Sequence, residues 1–246
     1  MKTVMITGHT YGLGAAIVNR FAQLDGEFEV HGIVDKLPPA MDKSSLLWKR
    51  TYLCDISNSK RVEALAAEID YPIDILINNA GVNYIDWMQN ISVDDWDKVM
   101  NTNARGIWLV TKALLENLKE TKGTIVNVVS NAMNVPMTHS IAYNASKGAA
   151  GIMTRQMARE LQREHGICVF GICPNKLAGT NMSKYIENRV VELRGWTPEQ
   201  ADKYQLQALL AGQETQPDQV AELLVWLLSR PRRHKYLTGC LLELGL

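Results

Sequence analysis

Two side chains capable of acid–base chemistry stand four residues apart in the segment Tyr143-Asn-Ala-Ser-Lys147. In an α-helix that spacing puts the phenol and the ammonium group on one face, within reach of each other or of a shared ligand. A third polar residue, Ser130, ends a short apolar run 13 residues before the tyrosine. We therefore predict that Ser130, Tyr143 and Lys147 form a catalytic group at one edge of a sheet.

A glycine-rich segment, Thr7-Gly-His-Thr-Tyr-Gly-Leu-Gly14, follows the first apolar run and precedes a helical pattern. Glycines at such a turn let the backbone approach a pyrophosphate closely, and the amino end of a helix offers free N–H groups and a positive dipole. The segment therefore predicts a binding site for a dinucleotide phosphate. The residues assigned to it are Gly8, Thr10, Tyr11, Gly12, Leu13 and Gly14.

The second apolar run ends in Val34-Asp35, and Asp35 lies 21 residues after Gly14, where the ribose-binding acid of a dinucleotide site is expected. A carboxylate there accepts hydrogen bonds from ribose hydroxyls and repels a 2′-phosphate, which favours NAD over NADP. Lys36 argues the other way, because its ammonium could neutralise such a phosphate. Tyr11 supports NAD, because it occupies a loop position where a basic residue would help NADP.

Short β-branched runs alternate with longer segments of helical period along almost the whole chain. This alternation predicts an α/β fold, a doubly wound sheet of about seven parallel strands with helices on both faces. The predicted strands are residues 3–7, 29–34, 50–54, 73–77, 124–129, 167–172 and 237–242. Long helices are predicted over residues 93–118 and 143–161 because apolar residues recur there with helical period.

One segment interrupts this alternation. Two helical stretches, residues 182–193 and 198–210, follow the sixth predicted strand with no strand between them. Such an excursion beyond the carboxyl ends of the strands is where a lid over a ligand would lie. No repeat, low-complexity tract or linker is present, so we interpret residues 1–246 as one domain with a substrate lid at about 175–215.

The composition narrows the class of protein. Of 246 residues, 46% are hydrophobic and 21% charged, and 26 Lys and Arg balance 26 Asp and Glu. Zero net charge argues against a nucleic-acid or membrane-surface binder, and no apolar stretch reaches the roughly 18 residues that span a bilayer. The four cysteines show no metal-binding spacing and are expected to be buried, reduced thiols, so we expect no metal and a cytoplasmic location.

Six short motifs follow one another in order along the chain. They are Thr-Gly-x-x-x-Gly-x-Gly at 7–14, an acid at Asp55, Asn-Asn-Ala-Gly at 78–81, Asn103, Ser130 and Tyr-x-x-x-Lys at 143–147. Together they resemble the short-chain dehydrogenase/reductase family over nearly the whole chain. The resemblance implies a Rossmann-type fold, NAD or NADP as cofactor, and interconversion of a secondary alcohol and a ketone by hydride transfer, with Tyr143 as general acid/base.

The resemblance also implies roles for single residues. Lys147 would stabilise the phenolate and bind the nicotinamide ribose, Ser130 would hold the substrate oxygen, and Asn103 would anchor a water that relays protons to Lys147. The other implied cofactor contacts are Asp55 and Ile56 at the adenine, Asn79, Ala80 and Gly81 at the adenosine side, and Pro174, Leu177 and Thr180 near the nicotinamide.

The sequence departs from the family pattern after Pro174, where Asn175 replaces the usual glycine. Asparagine tolerates a left-handed backbone better than most residues, so we expect the turn to be kept. Polar and apolar residues are mixed around the expected pocket, so a polyol, a hydroxy acid, a steroid-like ring and an acyl thioester all remain open as substrates.

Two alternatives to an NAD-dependent alcohol dehydrogenase also remain open. The first is an NADPH-dependent 3-oxoacyl thioester reductase, and the second is a catalytically silent, cofactor-sensing binding protein. The expected partners are a small-molecule alcohol or ketone and further copies of the chain, because long helices pair across a two-fold axis in the family. We therefore expect a homo-oligomer, a dimer or a homotetramer.

Overall fold

Seven parallel strands form one sheet in the computed structural model, which describes residues 1–24, 26–37, 47–207, 209–230 and 234–245. The strands are β1 Lys2–Thr7, β2 Phe28–Val34, β3 Arg50–Leu53, β4 Ile75–Asn78, β5 Thr124–Val128, β6 Cys168–Pro174 and β7 Leu241–Leu244. They lie in the order β3-β2-β1-β4-β5-β6-β7, which reverses between β1 and β4. The predicted doubly wound, Rossmann-type sheet is confirmed.

Helices cover both faces of this sheet. In the described part of the chain they are α1 Gly12–Ala22, α2 Ser59–Glu68, α3 Val93–Met100, α4 Gly106–Ala113, α5 Leu115–Thr121, α6 Ile141–His165, α7 Asn181–Arg194, α8 Pro198–Gln207 and α9 Pro217–Ser229. Because side chains alternate along a strand, Ile6 of β1 packs with α1 and α9, whereas Met5 packs with α2, α4 and α5. No described helix is both long and apolar enough to cross a bilayer.

Two predicted elements differ from the structure. The last strand begins at Leu241, not at residue 237, because Lys235–Leu237 form a 3₁₀ turn and Gly239 turns the chain with a φ of 81°. The continuous helix predicted over 93–118 is divided into α3, a π-helical turn Asn101–Arg105, α4 and α5. The apolar period alone did not reveal these breaks, because the segments continue one after another along the sheet.

The four cysteines are free thiols. Cys54, Cys168 and Cys173 are buried, and burial raises the pKa of each to about 11, so these thiols stay protonated at neutral pH. The expectation of buried thiols is confirmed for these three and is wrong for Cys240, which is exposed in the turn before β7.

A buried histidine fills the space that Gly32 leaves on β2. His9 is fully buried, and a Cβ added to Gly32 would overlap its imidazole ring. His9 Nε2 lies 3.2 Å from Thr51 Oγ1, which accepts a hydrogen bond from Trp48 Nε1 at 2.7 Å. Because an indole only donates, the Thr51 hydroxyl keeps its own proton and can donate it to His9 Nε2 in the tautomer that is unprotonated there. Burial lowers the pKa of His9 to about 4, so this side chain is neutral at pH 7.

We predict that Gly32→Ala destabilises the protein through this contact. The backbone at Gly32 suits alanine, but the added methyl group collides with the His9 ring, so the free energy of unfolding should fall by about 1–3 kcal/mol. Adding His9→Ala should recover part of the loss, because the collision is removed. Urea denaturation of the wild type, both single variants and the double variant measures this coupling, and strictly additive losses would contradict it.

Candidate active site

The loop between β1 and α1 leaves the amino end of α1 open. Gly8 and Gly12 have positive φ angles of 67° and 53°, which residues with a Cβ rarely adopt. A Cβ on Gly14 would overlap the carbonyl oxygen of Gly8, so this tight turn requires glycine there. Tyr11, which precedes the helix, makes no side-chain capping bond, so the first N–H groups of α1 can bind an anion. The loop therefore fits the pyrophosphate of a dinucleotide.

The other predicted loop residues differ in what they can offer such a phosphate. The side chain of Leu13 is buried in the core beneath α1, so only its backbone N–H can face a ligand. Thr10 is half-buried, and Tyr11 is half-exposed. Backbone groups rather than side chains therefore dominate this part of the site.

Four hydrogen bonds tie the glycine loop to the end of β4. Thr7 Oγ1 accepts from the N–H groups of Asn79 and Ala80, each at 2.9 Å. The Asn79 amide donates to the carbonyl oxygens of Thr7 and Gly8 at 3.0 and 2.9 Å. Because both amide protons of Asn79 are bonded in this way, its side chain positions the loop and has no proton left to donate to a nucleotide.

Two exposed carboxylates lie near the ends of β2 and β3, where the adenosine was predicted to bind. Asp35 directly follows β2, with exposed Lys36 beside it. Asp55 Oδ1 accepts from the backbone N–H and the hydroxyl of Ser57 at 2.9 and 2.7 Å, which leaves its second oxygen for a ligand. Ile56 is buried and packs against Gly106, so it forms an apolar wall next to Asp55.

Lys147 lies at the centre of the candidate catalytic group. It is 4% exposed, and its ammonium donates to the carbonyl oxygen of Val128, at the end of β5, at 2.9 Å. Its Nζ lies 5.6 Å from the centroid of the Tyr143 ring, and a Cβ added to Gly81 would lie 3.7 Å from it. Burial lowers the pKa of Lys147 to about 8, so the ammonium form still predominates at pH 7.

Tyr143 is buried in the first turn of α6. Burial raises the pKa of its phenol above the usual value of 10, and a hydrogen bond with Ser130 opposes this rise only in part. The net direction is upward even with Lys147 nearby, so the phenol is protonated at neutral pH in the protein alone. A positively charged group bound next to Tyr143 would favour the phenolate and lower this pKa.

The buried amide of Asn103 is bonded to the protein itself. Its Oδ1 accepts from the Val82 N–H at 2.8 Å, and its Nδ2 donates to the Val82 carbonyl at 2.8 Å and to Ser146 Oγ at 3.0 Å. With both amide protons used, this side chain cannot donate to a relay water. These bonds hold Val82, and with it Gly81, beside Lys147. The relay water stays a prediction, because a water can donate to an oxygen of Asn103 without needing its amide protons.

The segment after β6 lies over the glycine loop. Thr180 Oγ1 accepts from the Ser183 N–H at 3.1 Å and so caps α7, and the Thr180 methyl group lies 3.5 Å from where a Cβ on Gly12 would stand. Pro174 is buried at the end of β6, and Leu177 packs on the core and forms a bridge with Thr215. Thr180 therefore neighbours the predicted phosphate site.

The left-handed backbone expected at Asn175 is absent. Among the described residues other than glycine, only Lys122 and His139 have a positive φ. Asn175 is held by hydrogen bonds instead: its N–H donates to the Leu244 carbonyl at 3.0 Å, and its Oδ1 accepts from the Lys176 N–H at 2.9 Å. The turn therefore forms without glycine, because the asparagine side chain accepts a hydrogen bond from the backbone N–H of Lys176.

Two side chains of α7 fasten the predicted lid to the segment after β4. Arg189 forms an ion pair with Asp86 at 3.1 Å and donates to the Ile85 carbonyl at 3.3 Å. The hydroxyl of Tyr185 accepts from the Ile85 N–H at 3.3 Å. These contacts join residues at least 100 positions apart. They could not be predicted from the sequence, because no local pattern indicates such pairs.

The predicted site residues thus meet along the carboxyl edge of the sheet. This follows from the parallel arrangement, because every strand ends at the same edge. The arrangement offers an anion site at α1, carboxylates for ribose hydroxyls and a buried phenol for proton transfer. In the ranges that the structure describes, no group of three His, Cys, Asp or Glu side chains could hold a metal ion.

Comparisons with known proteins agree with this geometry. A family model described as short chain dehydrogenase matches residues 2–190. The chain is 31% identical over 235 residues to meso-2,3-butanediol dehydrogenase from Serratia marcescens, covering 93% of this chain and 87% of that protein.

Solved structures of two enzymes are similar over nearly the whole chain. Actinorhodin polyketide ketoreductase with NADPH is 26% identical, with a TM-score of 0.85 and coverage of 99% of this chain and 96% of that one. 4-Hydroxyisoleucine dehydrogenase complexed with NADH is 25% identical, with a TM-score of 0.83 and the same coverage of both chains.

We predict that Tyr143 stays mostly un-ionised at pH 10 in the ligand-free protein. Burial disfavours the phenolate, so its pKa lies above that of an exposed tyrosine. Ultraviolet titrations of the wild type and of Tyr143→Phe isolate this phenol, because the two proteins share every other tyrosine. Matching curves up to pH 10 are expected, and an extra phenolate forming between pH 7 and 8 without ligand would contradict the prediction.

Proposed function

This chain belongs to the short chain dehydrogenase family, and we propose that it interconverts a secondary alcohol and a ketone by hydride transfer with a nicotinamide cofactor. Family membership supports an oxidoreductase. The finer proposal depends on one observation, the burial of Tyr143 and Lys147 beside Ser130 at the edge where the open glycine loop lies. The proton-transfer groups and the predicted dinucleotide site then lie along the same carboxyl edge of the sheet.

Tyr143 is the general acid/base in this proposal. A bound nicotinamide cofactor supplies the hydride donor or acceptor and, when oxidised, a positive ring. Stabilising a phenolate enough to bring a pKa of 10 to near 7 takes about 4 kcal/mol. The Lys147 ammonium, held in place by the Val128 carbonyl, contributes part of this stabilisation. Burial raises the pKa of the phenol in the protein alone, so a positive cofactor ring would add to the stabilisation that Lys147 gives.

Ser130 orients the substrate oxygen in this proposal. Its Oγ accepts from the Ala132 N–H at 3.2 Å, and it is a hydrogen-bond partner of Tyr143. A hydroxyl that accepts from a backbone N–H still has its own proton, which it can donate to Tyr143 or, when substrate is bound, to the substrate oxygen. The substrate oxygen would thus lie between Ser130 and the Tyr143 phenol, ready to give or take a proton.

NAD is the proposed cofactor, with NADP as the less favoured possibility. The exposed Asp35 carboxylate suits unmodified ribose hydroxyls, and neutral His9 brings no positive charge to the loop. Lys147 would bind the nicotinamide ribose, and Asp55 with Ile56 would border the adenine. Similar structures contain NADPH in one case and NADH in another, so the choice depends on the charges at Asp35 and Lys36.

An NADPH-dependent 3-oxoacyl thioester reductase is the second candidate. The similarity to a polyketide ketoreductase solved with NADPH supports it, and the Asp35 carboxylate disfavours it. The similarity to a butanediol dehydrogenase supports the alcohol–ketone reaction. The two candidates differ in cofactor, so the cofactor preference tested below separates them.

We also propose a homo-oligomer, a dimer or a tetramer, and a lid formed by residues 175–215. Trp108 on α4 and Ile152 on α6 are 45% and 64% exposed, so each of the two helical segments that pair across a two-fold axis in the family has a large apolar side chain open to a partner. A second copy of the chain would cover them. The contacts of Arg189 and Tyr185 with the segment after β4 support the lid.

We predict that Tyr143→Phe abolishes turnover and leaves NADH binding nearly intact. The substitution removes only the phenolic oxygen, so the cofactor still finds the glycine loop and Lys147. Steady-state rates with a panel of secondary alcohols and fluorescence titration with NADH measure the two properties. Retention of more than a few per cent of the wild-type rate would exclude Tyr143 as the acid/base.

We predict that the wild type binds NADH more tightly than NADPH by about tenfold or more, because Asp35 repels the 2′-phosphate. Asp35→Asn removes that charge, so it should weaken NADH binding, strengthen NADPH binding and largely abolish the preference. Fluorescence titration of the wild type and of Asp35→Asn with NADH and NADPH gives four dissociation constants. Lys36→Gln, titrated in the same way, is the control for the positive charge next to Asp35. Tighter binding of NADPH by the wild type would favour the thioester reductase.

A further inference from the structure

The amide of Asn83 is buried without a hydrogen-bond partner at either end. Among the residues that the structure describes, it is the one side chain whose donor and acceptor atoms are both buried and unpaired. Buried polar groups are almost always hydrogen-bonded, because burying them unpaired costs free energy. An amide left in this state therefore indicates a missing partner.

Other buried asparagines show how the protein normally satisfies this side chain. The amide nitrogen of Asn78 donates to Thr111 and Asn127, that of Asn131 to the Leu244 carbonyl, and that of Asn144 to the Met137 carbonyl. Each of these three leaves only an oxygen unpaired. Asn83 differs because its two N–H donors are unused as well.

The segment around Asn83 connects the catalytic group to the predicted lid. On its amino side, Gly81 lies next to Lys147 Nζ, and Asn103 bonds both polar backbone groups of Val82. On its carboxyl side, Tyr185 and Arg189 of α7 bond to the backbone of Ile85. Along the chain, Asn83 therefore lies between a residue next to Lys147 and a residue that the lid contacts.

The two chain neighbours of Asn83 also pack near the catalytic group. Val82 and Tyr84 belong to a cluster that contains Tyr143 and Met182, the second residue of α7. The residues on both sides of Asn83 thus belong to the same apolar cluster as the tyrosine and the start of the lid. The unpaired amide therefore belongs to a segment that borders the predicted proton donor.

We propose that Asn83 binds a second hydroxyl group of the substrate, close to the reacting carbon, so that the substrate is a vicinal diol or polyol, or the matching hydroxyketone. This inference rests on the proposed alcohol–ketone reaction. A hydroxyl both donates and accepts, so it satisfies the Nδ2 and Oδ1 atoms together. A carboxylate only accepts and would leave the amide oxygen unpaired, and an apolar group would leave both atoms unpaired.

The test replaces the amide by an apolar group of similar size. Asn83→Leu and the wild type are assayed with NAD on matched pairs, 2,3-butanediol against 2-butanol and 1,2-cyclohexanediol against cyclohexanol. We expect kcat/KM for the diols to fall roughly 10- to 100-fold, with that for the monoalcohols changing less than about threefold. Asn188→Leu, the same change at an exposed position of α7, should keep the wild-type ratio.

A second readout separates substrate binding from a structural role. An amide without a protein partner adds nothing to folding, so the thermal midpoint of ligand-free Asn83→Leu should equal or exceed that of the wild type. A lower midpoint, an equal loss for diols and monoalcohols, or an unchanged diol-to-monoalcohol ratio would each overturn the inference. A wild type that binds NADH but oxidises no alcohol in the panel would overturn the proposed function itself, and the inference with it.

Discussion

The carboxyl ends of β1 and β4 are bonded to each other at the point where the strand order reverses, and the whole candidate site depends on this connection. Thr7 and Asn79 bond to each other and also to Ala80 and Gly8, and these bonds fix the path of the glycine loop. The same segment continues through Gly81 to Val82, which Asn103 holds beside Lys147. A ligand in the crevice between these strands would therefore meet the open end of α1 and the catalytic group at once.

Burial gives this site its electrostatic character. The chain has no net charge, yet it buries the ammonium of Lys147 and the phenol of Tyr143 next to each other. Burial lowers the pKa of Lys147 to about 8 and raises the pKa of Tyr143. In the protein alone, burial therefore disfavours the charged form of both side chains. A positive cofactor ring would favour the phenolate, which makes proton transfer depend on cofactor binding. A neutral protein could bind a nucleotide at the open end of α1, because backbone dipoles rather than a basic surface would contact the phosphates there.

Much of the fold could be predicted from the sequence, because buried parallel strands and amphipathic helices leave regular apolar patterns. The seven strands are of this kind, and so is the helix with Tyr143 and Lys147 on one face. The start of β7 was misplaced because a 3₁₀ turn and Gly239 precede it, and the breaks within residues 93–121 depend on local backbone geometry. The pairing of Arg189 with Asp86 and the unpaired amide of Asn83 depend on contacts between distant segments, which no local pattern indicates.

An isotope label tests directly whether the protein transfers hydride from a secondary alcohol to NAD. A secondary alcohol carrying deuterium on its carbinol carbon is incubated with the protein and NAD, and mass spectrometry locates the label. We expect one deuterium on the nicotinamide ring of the NADH formed, with an equal amount of ketone, and no transfer by Tyr143→Phe. Tight binding of NAD without transfer of label from any alcohol tested would contradict it and would instead indicate a silent, cofactor-sensing protein.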